Sequence, residues 1–216
     1  MLNIQRFVCN PLQENCYIVS DDTGESVIID CGAFYEEERR AILDYIEKEH
    51  LKPTHLLATH AHIDHNIGND TIYNRFGLKP EVAAADEPLM QRMDVQAQFI
   101  LGIQLEQPLP PVGKYLSPQE EVTFGHHRLV VLPTPGHSPG SVLFYCEEEG
   151  LLFSGDTLFR MSVGRTDFEL GSYRALCNSM KTVVAQLPPN TTVLCGHGPQ
   201  TTIGDELRYN PYLQFE

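Results

Sequence analysis

Residues 59–66 read THAHIDHN, so His60, His62, Asp64 and His65 fall within six consecutive positions, directly after the apolar run 56–58. Packing gives no reason for such a density of imidazole and carboxylate, which are costly to bury unless paired or coordinating a cation. In an extended chain, residues two apart point the same way, so His60 and His62 can address one ion. Asp64 and His65 lie where the chain turns toward the next helix and aim at a neighbouring point. The fold must therefore present a strand end at a site and bring further ligands to it.

Three candidates supply them. His137 lies in PTPGHSPGS after the apolar run 129–132, Asp156 in FSGDT after 151–153, and His197 in CGHGP after 193–195. Each repeats one pattern: apolar strand, glycine, metal-ligand side chain. Glycine permits the tight turn and the close backbone approach that such a position needs. Functional groups gathered on loops at strand ends are common in layered α/β folds. Five histidines and two aspartates exceed what one tetrahedral ion accepts. They suit two ions with one carboxylate bridging, leaving positions open for water and substrate. Imidazole and carboxylate fit zinc, with iron or manganese as other occupants. Two divalent ions less two carboxylates leave a positive site even with a bridging hydroxide, which favours an oxyanion. His50, His55, His126 and His127 read as surface or core residues.

The remaining sequence frames this site. Hydrophobic residues make up 42%, enough for a sizeable core, and 15 Lys and Arg against 29 Asp and Glu give a formal charge of −14. That balance repels nucleic acid and anionic lipid. Neither a signal peptide nor a membrane span is evident, so a cytoplasmic location is expected. Six cysteines, at positions 9, 16, 31, 146, 177 and 195, include no Cys-x-x-Cys pair and read as free, mostly buried thiols. Strands are expected at 2–8, 15–20, 26–30, 54–59, 81–85, 121–124, 128–132, 141–146, 151–154 and 192–195. Helices are expected at 35–49, 66–76, 87–100, 172–186 and 204–209. The Pro-rich stretch 102–118 joins two strand-and-helix halves of what reads as one domain over 1–216.

These motifs resemble the metallo-β-lactamase superfamily: H-x-H-x-D-H at 60–65, then His137, Asp156 and His197 in order. Within it, DHNIGN, TPGHSPGS, FSGDTLF, VGRTDF and CGHGPQTTIGDELRYNPYL are similar to the short glyoxalase II-like hydrolases. The resemblance implies a four-layer αββα sandwich with metals at one edge of the two facing sheets. It implies hydrolysis of thioesters, typically hydroxyacyl-glutathione adducts, by a metal-bridging hydroxide. Carried over, His60, His62 and His137 hold one zinc; Asp64, His65 and His197 hold the other; Asp156 bridges. Asp64 and Asp156 are then the catalytic carboxylates, and Asp156 sets the chain apart from true β-lactamases. Glyoxalases II hold glutathione partly through a basic residue nine positions after the bridging Asp, which implies a substrate-binding role for Arg165; an ion pair with Asp167 is its other reading. They carry a Tyr two places after the last His, where this chain has Pro199, which leaves the thiol open. Two other functions share parts of the pattern: a one-iron persulfide dioxygenase using His60, His137 and Asp156, and a non-catalytic metal-binding module.

Overall fold

The computed structural model describes residues 1–214. Strands β1 (Asn3–Cys9), β2 (Glu14–Ser20) and β3 (Glu25–Ile29) form an antiparallel meander. Helix α1 (Glu36–Lys48) then returns the chain to β4 (Lys52–Leu57), parallel to β3. The α1 start is fixed by Glu38, whose carboxylate accepts from the backbone N–H of Phe34 (2.8 Å) and Tyr35 (3.1 Å). Acids in its first turn and Lys48 in its last complement the helix dipole. Helix α2 (Asn69–Phe76), strand β5 (Pro80–Ala83), short helices α3 (Glu87–Met90) and α4 (Met93–Gln96), and β6 (Lys114–Leu116) complete the first half. Its sheet runs β1-β2-β3-β4-β5-β6.

The second half contains β7 (Glu121–Phe124), β8 (His127–Pro133), β9 (Val142–Cys146), β10 (Leu151–Gly155), the hairpin β11 (Leu158–Phe159) and β12 (Ser162–Val163), α5 (Tyr173–Thr182), β13 (Thr192–Cys195), β14 (Thr201–Thr202) and α6 (Ile203–Tyr209). Its main sheet runs β14-β13-β10-β9-β8-β7.

Side-chain alternation builds the layers. Tyr17, Val19, Val27, Ile29 and Leu57 of the first sheet meet Phe124, Leu129, Val131, Phe144 and Phe153 of the second in one core. The other faces, Ile18, Ile28 and Leu56, pack under Ile42, Ile46 and Ile72 of α1 and α2. Leu143, Leu152 and Val193 likewise pack under Leu176, Met180 and Ile203 of α5 and α6. Three cores separate four layers, the αββα sandwich expected from the sequence.

Several boundaries differ from expectation, each for a physical reason. The helix expected over 87–100 is broken. Arg92 leaves helical geometry (φ −121°, ψ 28°), and residues 97–101 form a wide π-type turn ended by Gly102 at φ 70°. Tertiary contacts outweigh local propensity here. Buried Gln96 accepts from the N–H of Ile63 (3.1 Å) and donates to the carbonyls of Ala61 (3.0 Å) and Leu89 (2.9 Å). The helix expected from 66 starts at Asn69, because the Asn66 side chain instead holds the backbone of the histidine loop. The helix expected over 172–186 ends at Thr182 and is followed by a single 3-10 turn. Strand β6 lies inside the stretch read as connection. Hairpin β11–β12 and strand β14 were not expected, being two residues per strand and so without readable periodicity.

Candidate metal centre

All seven sequence-predicted ligands meet at one edge of the facing sheets. The 59–66 loop follows β4 of the first sheet. His137, Asp156 and His197 follow β8, β10 and β13 of the second. The sheets are tied across the site: Asn15 N donates to Gly196 O (2.7 Å), while Asn15 Nδ2 and Tyr17 Oη donate to Cys195 O (2.9 and 2.7 Å). Strand β2 thereby braces the loop that carries His197.

Among the described residues, four overlapping groups of candidate ligand atoms lie within 4.8 Å of one another. Two of them are His60, His62 and His137, and Asp64, His65 and His197; the others are His60, His65 and Asp156, and Glu14, Asp30 and His65. Asp156 lies between the first two. Its Oδ1 is 3.3 Å from His65 Nε2, and its Oδ2 is 3.6 Å from both His137 Nε2 and His197 Nε2. Asp64 Oδ2 is 3.3 Å from His197 Nε2 and 3.7 Å from His65 Nε2.

Tautomers, assigned from the acceptors they face, show what this arrangement fits. His65 Nδ1 donates to Asp30 Oδ2 (3.0 Å), His137 Nδ1 to the Arg165 carbonyl (2.7 Å) and His197 Nδ1 to the Leu12 carbonyl (3.0 Å). With the proton fixed on Nδ1, each neutral ring presents a bare lone pair on Nε2. Two of these lone pairs converge, with His65 Nε2 and His197 Nε2 3.2 Å apart, while His137 Nε2 lies 2.8 Å from His62 Nδ1, which can donate to it. His60 Nε2 and Asp156 Oδ1 are buried with no hydrogen-bond partner among the described residues. The facing lone pairs of His65 and His197, together with the unpartnered His60 Nε2 and Asp156 Oδ1, call for cations, and this donor set fits them.

Charge follows the same logic. Burial pushes His62 down to about 3, helped by neighbouring His137. Burial also drives His60 well below its ordinary value, with the other imidazoles adding to it. For Asp156, burial opposes ionisation, but His65, His197 and His137 outweigh it and hold the carboxyl well below its usual range. Burial alone would lower His65, yet Asp156, Asp64 and Asp30 raise it well above an ordinary imidazole. The carboxylates demand positive charge at His65, which a proton or a metal can supply in competition.

Several residues that build the site were not singled out in the sequence. Asp30 orients His65 and also accepts from Thr59 N and Oγ1, both at 2.7 Å. Its signal was the pattern already used for the ligands, an apolar strand, an acid and a glycine (Gly32). Asp86 joins the two ligand loops, accepting from Ala61 N (2.8 Å), Ser138 Oγ (2.7 Å) and Gly140 N (2.5 Å). Asn66 Nδ2 donates to the carbonyls of His60 (3.0 Å) and His62 (2.8 Å). Glu14 lies fully buried 3.9 Å from His65 Nδ1, and burial keeps its carboxyl well above the usual range. Nothing local in the sequence distinguishes Asp86 or Glu14 from surface acids. Arg165 lies beside the centre, its guanidinium bidentate to Asp167 (2.7 Å twice) and 4.1 Å over the Phe168 ring.

The model of the metallo-beta-lactamase superfamily matches residues 9–197, and the chain belongs to that superfamily of metal-dependent hydrolases. A relative in Haemophilus influenzae, hydroxyacylglutathione hydrolase GloC, is 33% identical over 98% of both chains. The solved structure of BLEG-1 B3 metallo-beta-lactamase is 33% identical, covers 99% of this chain and 100% of its own, and superposes with a TM-score of 0.88. That of TTHA1623 in a di-iron-bound form is 39% identical over 97% and 100%, with a TM-score of 0.85.

Proposed function

We propose that the chain hydrolyses thioesters of small molecules at a dinuclear centre, as a glyoxalase II-type enzyme. One observation carries this reading: two groups of candidate ligand atoms lie next to one carboxylate, Asp156, which is within 3.6 Å of a histidine from each. His60, His62 and His137 would hold one ion, Asp64, His65 and His197 the other, with Asp156 facing both. The likeness to GloC supports the scissile bond. When bound, the pair supplies Lewis acidity toward a carbonyl oxygen and a water of lowered pKa.

The protein's own residues do the positioning. Asp30 and the carbonyls of Arg165 and Leu12 lock three imidazoles with Nε2 forward. Asp86 fixes the spacing of the loops bearing His60, His62 and His137. A thiolate leaves without a strong general acid, since a free thiol has a pKa of about 8.5. The cluster of metal-directed imidazoles therefore need not spare one as a proton donor. Zinc suits these ligands, and the di-iron form of TTHA1623 makes iron the other metal to quantify. Free cysteines, mostly buried, suit a reducing compartment such as the cytoplasm, and no helix among the described residues is long and apolar enough to cross a membrane.

The test is a substrate panel on metal-quantified protein: a neutral thioester, a glutathione thioester, an oxygen ester and a penicillin. The thioesters should be cleaved with the highest kcat/KM. The likeness to BLEG-1 brings in β-lactam hydrolysis as the second reading, although Asp156 speaks against it; a penicillin cleaved faster than every thioester would put it first. Oxygen uptake on a persulfide by iron-loaded protein would instead support the dioxygenase reading.

A further inference from the structure

A cleft of about 480 Å³ opens from His62, within the range of small-molecule sites. Its walls come from the broken helical segment that starts at Glu87 and from the loop after Gly164. Leu89, Val95, Phe99, Ile100 and Phe168 supply its apolar surface. Phe168 packs edge-on against His62, with ring centroids 5.2 Å apart, so this surface begins at a metal ligand. At the outer end Phe99 is 79% exposed and Val95 47%. Phe99 and Val95 together leave apolar surface open on the cleft wall, which a ligand lying along the cleft would cover. The wide turn over residues 97–101 presents Phe99 there. Such turns are frequent at functional sites.

The polar groups of the cleft balance one another. Arg92 is paired with Glu169 and Arg165 with Asp167, so each cation has its own carboxylate. The chain as a whole carries −14. Neither rim nor field attracts an anionic substrate arm. The Arg165 guanidinium instead lies over Phe168, which it holds against His62 and His137.

We infer that this cleft takes an uncharged, apolar arm of the substrate, an alkyl or aryl chain next to the scissile carbonyl, with Val95, Phe99 and Phe168 as specificity-determining residues and Arg165 as the positioning residue for Phe168. The inference rests on the hydrolase reading above and narrows its substrate class.

The experiment uses zinc-loaded holoprotein and two series of neutral thioesters. One runs from acetyl to octanoyl on N-acetylcysteamine; the other pairs acetyl with ethyl- to octyl-thiols. On the arm that enters the cleft, kcat/KM should climb about two- to fourfold per methylene until the cleft is full. The succinyl thioester should fall well below the butyryl one. Phe99→Ser and Val95→Ser, at exposed positions that tolerate change, should each remove at least half of the rise. Asp167→Asn should free Arg165 and raise succinyl relative to butyryl hydrolysis. Flat dependence on both arms, or a preference for succinyl in the unaltered protein, would overturn the inference. If no thioester is cleaved, the thioester reading fails, and calorimetric titration with butanone, octanone and decanone decides the cleft alone. A Kd that falls with chain length, less steeply in Phe99→Ser, upholds the apolar arm; a Kd independent of chain length overturns it.

Discussion

At the scale of single residues, the centre depends on which nitrogen carries the proton. Asp30 fixes the His65 tautomer through a 3.0 Å bond, so Asp30→Asn should lower metal affinity roughly 10–100-fold, the usual effect of removing such a partner. Metal titration with a competing chelator reads this directly. Asp156→Ala should abolish both hydrolysis and tight metal retention, while His50→Ala, on an exposed turn, should alter neither. Equal behaviour of the two variants in a metal assay would undo the ligand assignment. The seven candidate ligands stood out in the sequence on two signals: four crowd into 60–65 directly after an apolar run, and His137, Asp156 and His197 each follow an apolar run with glycine beside them. The reason for one such glycine is visible in space: a Cβ at Gly196 would collide with Asp156 Oδ1 and lie 2.8 Å from His65 Cε1. Asp86 and Glu14 were not legible, because their work depends on partners distant in sequence.

At the scale of elements, buried carboxylates fasten turns and loops. Asp86→Ala would strand the N–H of Ala61 and Gly140 and take one acceptor from the Ser138 hydroxyl. Leaving buried donors unmet costs about 2 kcal/mol or more, a fall in Tm of roughly 4–8 °C for a chain this size. Calorimetry of the metal-free protein would show it without metal loss confusing the reading. Asp21 joins the β2–β3 turn to the β7–β8 turn, accepting from Thr23 N (3.0 Å) and His126 N (2.7 Å) and facing His127 Nδ1 (3.0 Å). Burial works against its charge, but these bonds prevail and hold the carboxyl below its ordinary value. A depressed folded pKa contributes stability that is complete above the unfolded value, near 4, and is lost as pH falls below it. Asp21→Asn should therefore lower Tm at pH 7 and narrow the gap to wild type toward pH 3, by parallel thermal melts. Strands such as β2 and β8 were readable as apolar runs between turn residues, and α1 from its helical periodicity. The break at Arg92 was not, since a long-range demand on Gln96 sets it, and strands of two residues carry no period.

At the scale of the whole molecule, alternation within each strand makes both sheets two-faced, and three cores then fix four layers with the ligand-bearing strand ends at one edge. The sandwich was reached in the sequence through resemblance, while the two-sided burial that explains it became visible only with both sheets in place. Proton competition should make the assembled centre acid-sensitive: imidazoles must be neutral to bind, so metal content and rate should fall together below about pH 6. A flat rate from pH 5 to 8 with metal retained would contradict this. The central claim is that two ions share one carboxylate. It is tested most directly by titrating metal-free protein with Zn²⁺ in a calorimeter. The geometry predicts binding that saturates at two ions per chain in the wild type, from two ligand sets joined by Asp156, with tight binding at both sites lost in Asp156→Ala. Saturation at one ion, with His65→Ala and His197→Ala leaving that ion's affinity unchanged, would contradict it.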